Sequence, residues 1–152
     1  MAASAIKGPR ANAVTQFSVF TPNRTGRLNE LVRILGGHSI HVLALTVLDT
    51  TDSSIIRLVV DDPDKARGLL DGQGFAFTES PLVVVEVSSP DELNRLIAAL
   101  LEAELNINYL YSFIPHPNGQ SIVGLSMEDN DMAEQVLRQH QFPVLKQADI
   151  SR

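Results

Sequence analysis

Apolar and polar positions along this chain follow two alternating periods. "VTQFSVF", residues 14–20, alternates and is rich in β-formers, which predicts a strand. "RLNELVRIL" then sets Leu28, Leu31, Val32 and Leu35 on one helical stripe, and Gly36-Gly37 is expected to stop that helix. "SIHVLALTVLD" and "SIIRLVVDD" read as two strands about a polar turn. Asp62 is placed to cap the next helix, "DPDKARGLL", with Pro63 at its first position. "FAFTES" closes this set as a strand. A second set follows: "LVVVEV", "PDELNRLIAALLEA", "LNINYLYSFI", "QSIVGLSM", "DMAEQVLRQH" and "FPVLK". Its hairpin carries Asn118-Gly119, a strong two-residue turn signal.

The two sets are copies. Leu28, Leu31 and Leu35 fall on Leu93, Leu96 and Leu100, and Ile40, Val42 and Leu45 fall on Leu105, Ile107 and Leu110. Beyond the hairpin the offset lengthens, and Ala66, Leu70 and Phe75 fall on Ala133, Leu137 and Phe142. A loop can absorb such a slip. The expected organisation is a copy at 14–80 and a copy at 81–152, after an Ala-rich tail at 1–13 expected to be disordered. Each copy reads βαββαβ, the ferredoxin-like split βαβ. The fold class is therefore α+β, with antiparallel sheets and helices on one face. "LALTVL", "IIRLVV" and "LVVVEV" are apolar at consecutive positions, whereas a sheet covered on one side alternates. Bulk on both faces predicts pairing with another copy, within the chain or between chains, and hence a homodimer.

Composition narrows the function. Lys plus Arg number 12 against 18 Asp plus Glu, a net charge of −6, which argues against a nucleic-acid partner. Six Phe, two Tyr and no Trp are too few for a base-stacking platform. No apolar run approaches the roughly 18 residues of a membrane span. The opening residues lack a secretory core, and there is no cysteine, so a cytoplasmic protein without disulfides is expected. The motifs of nucleotide, zinc and nucleophile sites are missing, and neither a cofactor nor catalysis is expected. His38 and His41, three apart on an expected strand, would face opposite ways and share no metal. His116 and His140 read as ordinary histidines. Arg57 sits amid apolar neighbours; an outward surface position explains it more simply than a salt link to a ligand carboxylate. Tyr109, Tyr111 and Phe113 alternate and read as core or interface packing.

The chemistry concentrates at "PNRTGRL", Pro22–Leu28, where the first strand turns into the first helix. Backbone N–H groups at a helix start lack partners and carry partial positive charge, so they attract a carboxylate or phosphate. Gly26 lets a ligand approach the backbone, Asn23 offers a donor and acceptors, and Thr25 is placed to cap the helix. Together they suit a small zwitterion. A cap and a turn explain the same residues about as well.

"NRTGRL" followed by "SIHVLAL", and "LNINYLY" in the second copy, resemble the ACT domain pattern: Asn-x-x-Gly-x-Leu after the first strand, then an Asn-Ile pair opening the second. The resemblance covers nearly the whole chain after residue 14. It implies a small regulatory protein of paired ACT domains, similar to regulators of acetolactate synthase, that binds an amino acid where domains meet. One domain gives the loop and its neighbour gives the pair. Carried over, the loop is Asn23, Arg24, Thr25, Gly26 and Leu28. The pair is Asn106 and Ile107 in the second copy, replaced by His41 and Val42 in the first. The second copy's loop reads "SSPDEL", with Ser88 and Asp91 where Asn and Gly are usual. The losses are complementary, so one competent site is expected from the first loop and the second pair. At the other corner Asp91 and Glu92 would repel a carboxylate. Leu28, Val42, Leu43 and Ile107 favour a branched-chain or other small apolar amino acid. The implied role is allosteric and non-enzymatic, acting on a partner enzyme or regulator of amino-acid metabolism. The alternative is an assembly protein with a vestigial site, which the degenerate second loop supports.

Overall fold

The computed structural model describes residues 12–22, 26–115 and 121–151. The chain divides into two compact units, Thr15–Ser80 and Pro81–Ile150, the second including residues 12–14. The first unit runs β1 (Val14–Pro22), α1 (Arg27–Gly37), β2 (Val42–Asp49), β3 (Ser53–Val60), α2 (Pro63–Gly72) and the opening half of β4 (Ala76–Glu86). The rest of β4 opens the second unit, which continues α3 (Pro90–Glu102), β5 (Ile107–Ser112), β6 (Ile122–Met127), α4 (Asn130–Gln139), β7 (Val144–Leu145) and α5 (Gln147–Ile150). Both units are α+β with the expected βαββαβ order.

In the first unit β3 lies between β2 and β1, antiparallel to both, and β4 follows β1. Register decides which residues share a face. Phe17 stands opposite Leu58 and Val19 opposite Ile56. These four meet Leu31 and Leu35 of α1 and Ala66 and Leu70 of α2 in one buried cluster. Burying each large apolar side chain contributes about 1.5–3 kcal/mol. On the opposite face Arg57 stands between Ser18 and Thr46. The second unit repeats the scheme: β6 lies between β5 and β4, and β7 pairs with β4. Val83, Val85, Val123 and Leu125 meet Leu96 and Leu100 of α3 and Ala133 and Leu137 of α4. Tyr109 and Tyr111 stack with centroids 6.3 Å apart, and Phe113 is buried.

Several sequence expectations shift. Leu28 and Val32 do not join the buried stripe of α1; each is 38% exposed, and Leu31 and Leu35 carry the packing. Gly36-Gly37 stops α1 as expected: Gly37 is its last residue and His38 its cap. The chain leaves the helix by a terminus that recurs in four helices. The N–H groups of Ile40, Phe75, Leu105 and Phe142 each donate back at 3.0 Å to the carbonyls of Leu35, Leu70, Leu100 and Leu137. In each case the preceding residue takes positive φ: Ser39 59°, Gly74 77°, Glu104 59° and Gln141 63°. This is the left-handed helix terminus, fixed by apolar contact across the bond. β2 begins at Val42; His38 and Ser39 form a turn, and Ser39–His41 precede the strand they were expected to open.

Helix starts follow the sequence more closely. Asp62 accepts from Lys65 N–H at 3.1 Å, Ser89 from Glu92 N–H at 3.2 Å and Asp129 from Met132 N–H at 3.0 Å. The expected tail concerns residues 1–13, of which 1–11 lie outside the described residues; the Asn12 carbonyl accepts from Gln147 N–H. The Asn118-Gly119 turn and His116 also lie outside them. Among the described residues no helix is long and apolar enough to cross a membrane.

Candidate functional site

The first-copy corner leaves β1 at Pro22 and enters α1 at Arg27. Asn23, Arg24 and Thr25 lie outside the described residues. Gly26 holds the cap position, one residue after the expected Thr25. Its φ of 92° is left-handed, which explains the glycine by backbone conformation. Close packing does not, since a Cβ there would meet nothing within 4 Å. A glycine offers no side-chain oxygen, so among the described residues α1, unlike α2, α3 and α4, starts without a side-chain cap. Both flanks of the corner carry a buried polar atom without a partner among the described residues. Thr21, 3% exposed, has a buried Oγ1 with no partner among the described residues, and so does Nε of Arg27. The Arg27 guanidinium is otherwise placed, with Nη1 3.0 Å from Glu30 and the group over the Phe75 ring at 4.9 Å.

The matching corner in the second copy is filled by its own side chains. Ser89 caps the Glu92 N–H, and Glu92 turns back to accept from the Ser88 N–H at 2.7 Å. This near-reciprocal arrangement is a capping box in kind, legible in the Ser-x-x-Glu spacing of "SPDE". It supplies a carboxylate where a ligand carboxylate would have to bind.

The pair residues occupy equivalent places at the mouths of β2 and β5. Val42 and Ile107 are partly buried against the core of their own unit. His41 and Asn106 are exposed and tied by acids that sequence reading missed. His41 Nδ1 lies 2.7 Å from Asp61 Oδ2, and Asn106 Nδ2 lies 2.7 Å from Glu128 Oε2. The signal was present: Asp61 and Glu128 close "VVDD" and "LSMED" at matching points of the repeat. His38 and His140 turn to carbonyls at their own helix ends, Ile34 and Val136, both at 2.9 Å. No group of three or more metal-ligating side chains occurs among the described residues. A groove of about 490 Å³ lies elsewhere in the second unit, where Asn130, Glu134 and Arg138 of α4 face Leu145 and Lys146.

The chain is thus a duplicated ferredoxin-like unit with a glycine at the cap of its first strand–helix corner. This chain belongs to the ACT domain pair family, whose model matches residues 12–152. Among solved structures, protein BT0572 from Bacteroides thetaiotaomicron is 29% identical, with a TM-score of 0.81 over 90% of this chain and 94% of that one. The regulatory subunit of aspartate kinase from Thermus thermophilus, in its ligand-free form, is 16% identical, with a TM-score of 0.64 over 86% and 93%. That of Thermus flavus is 17% identical, with a TM-score of 0.59 over 86% and 92%. A search of curated proteins finds no match. Family membership supports a regulatory, ligand-binding role.

Proposed function

We propose that this chain is a non-enzymatic regulator that binds an amino acid at an interface between ACT domains and so controls a partner enzyme of amino-acid metabolism. Residues 14–80 and 81–152 are read as the two domains. The observation that carries the reading is the contrast between the two corners. Among the described residues the start of α1 has a glycine cap and no side-chain oxygen, whereas the start of α3 is occupied by Ser89 and Glu92. An uncapped helix start with N–H groups to donate suits a carboxylate. The loop Asn23, Arg24, Thr25 and Gly26 would take that end of the ligand, with Leu28 beside it. Asn106-Ile107, or His41-Val42, would complete the site from a neighbouring domain. The apolar residues among these favour a branched-chain or similar side chain. That aspartate kinase has regulatory subunits of this fold supports an enzyme of amino-acid metabolism as the partner. A cytoplasmic homodimer without nucleic-acid, membrane or cofactor requirements fits the same reading.

Thermal unfolding against the twenty amino acids tests it. A ligand at a hundredfold its dissociation constant adds about 2.7 kcal/mol. For a chain of this size that raises Tm by roughly 5–10 °C. A shift confined to one chemical group of amino acids, and lost in Asn23→Ala and Asn106→Ala, is the expected result. A flat panel from a folded protein would refute it. One observation favours the assembly reading instead. Phe20, Ile55 and Leu48 are register neighbours on the face opposite α1 and α2, and Phe20 and Leu48 are 42% and 48% exposed. A flat panel together with a concentration-dependent oligomer would establish that alternative.

A further inference from the structure

The two copies differ beneath their strand–helix corners, and the second serves as a control for the first. Phe17, Val19 and Thr21 stand opposite Leu58, Ile56 and Ser54. Val83 and Val85 stand opposite Leu125 and Val123, and the Val87 N–H donates to the Ser121 carbonyl at 2.9 Å. Thr21 and Val87 therefore hold the same place in the repeat, and strand alternation puts both on the face turned to the helices. Val87 is buried in the core cluster of its unit. Thr21 is 3% exposed, and its Oγ1 has no hydrogen-bond partner among the described residues. Threonine has the shape of valine, so the hydroxyl adds nothing to packing, and a buried polar group without a partner destabilises a fold. A second contrast lies at the first turn of the helix. Glu92 closes the second corner by accepting from the Ser88 N–H at 2.7 Å. Its counterpart Arg27 has Nη1 bonded to Glu30 at 3.0 Å and its guanidinium over the Phe75 ring. The buried Nε of Arg27 has no partner among the described residues. A hydroxyl and a guanidinium N–H can both donate, and these two flank a helix start without a side-chain cap.

We propose that Thr21 Oγ1 and Arg27 Nε seat the carboxylate of the ligand at the start of α1. The inference rests on the amino-acid-binding reading above and adds the side chains that hold the acid end. A carboxylate offers about four lone-pair sites on two oxygens, so it can take the Thr21 hydroxyl, the Arg27 Nε–H and backbone N–H groups of α1 together. Glu30 and Phe75 already fix the guanidinium, so binding has little left to order there. The second corner has no such seat. Val87 brings no donor, and Glu92 brings an acceptor with a negative charge. The ligand class is a small molecule with a free carboxylate, excluding its esters, bound at the first-copy corner. The Thr21 hydroxyl then costs stability in the free protein and gains a partner when ligand binds.

The test uses the full chain and its Thr21→Val, Thr21→Ser and Arg27→Lys variants. The probes are the twenty amino acids and the methyl ester of any that binds. Without ligand, Thr21→Val is expected to melt at the wild-type temperature or above it, since it replaces an unpaired hydroxyl by the methyl that fits at Val87. It should nevertheless bind the amino acid about tenfold more weakly or worse, the loss expected for a hydrogen bond to a charged group. Thr21→Ser keeps the hydroxyl and should bind like the wild type. Arg27→Lys keeps the charge without the Nε donor and should also bind about tenfold more weakly. The ester should not bind. Wild-type affinity in Thr21→Val or in Arg27→Lys, or an ester that binds as well as the acid, would overturn this inference and leave the ligand-binding reading standing. So would a ligand-free Thr21→Val protein that melts below the wild type, because the hydroxyl would then have a structural partner. No amino acid bound by the wild type would overturn both.

Discussion

Gly26 and Gly124 lack a side chain for different reasons. At Gly124 the reason is space: a Cβ would lie 2.6 Å from Leu82 Cδ2 and 3.1 Å from Phe113 Cε1. Leu82 is 2% exposed, so little room exists for it to yield. Gly124→Ala is expected to destabilise by about 1–3 kcal/mol through overpacking, read as a lower urea midpoint at unchanged slope. At Gly26 the reason is φ, so Gly26→Ala should cost about 1 kcal/mol from backbone strain with no clash. The corner at Gly26 was legible because a strand pattern and a helix pattern meet there, but its left-handed φ was not: the glycine was expected to admit a ligand to the backbone. The role of Gly124 was not legible, since sequence alone does not say that Leu82 lies over it. Asp61 was misread for a related reason. At the end of "SIIRLVVDD" it read as the close of a strand, yet it reaches back 20 residues to His41 while Asp62 caps the helix.

Among the elements, the start of α2 and the end of α1 were readable, while the left-handed geometry of the helix termini was not. A cap is a local matter of one side chain and one N–H, so Asp62 announces itself before Pro63. Asp62→Ala and Asp129→Ala should each cost about 1 kcal/mol, measured by chemical denaturation. The end of α1 depends instead on Leu35 and Ile40 closing over each other within the core. Two glycines lower helix propensity there, and the helix ends on the second of them. The outward turn of Leu28 is tertiary too: α1 buries Leu31 and Leu35 against the sheet, and the sequence stripe was wider than the sheet could cover.

For the whole molecule, the duplication was the clearest feature in the sequence, because both copies need the same core. Leu35, Leu70, Leu100 and Leu137 hold matching positions and are all fully buried. The candidate site was harder to read because the copies have diverged there. One corner ends on Gly26 and the other closes on Ser89 and Glu92; one pair is anchored by Asp61 and the other by Glu128. If the proposed function holds, calorimetric titration should give one amino acid per chain. Two per chain would mean that the corner closed by Glu92 also opens to ligand.

The repeated helix terminus also leaves the protein with headroom. Ser39, Glu104 and Gln141 sit in a left-handed conformation that costs an L-residue about 1 kcal/mol and glycine almost nothing, and at the fourth terminus Gly74 already occupies it. Three conservative exchanges for glycine are thus available, each expected to raise Tm by a few degrees. Such a reserve tolerates change elsewhere. A lineage that acquired one of these glycines could accept a destabilising substitution at its ligand corner and remain folded, so new specificities could arise there without loss of the scaffold.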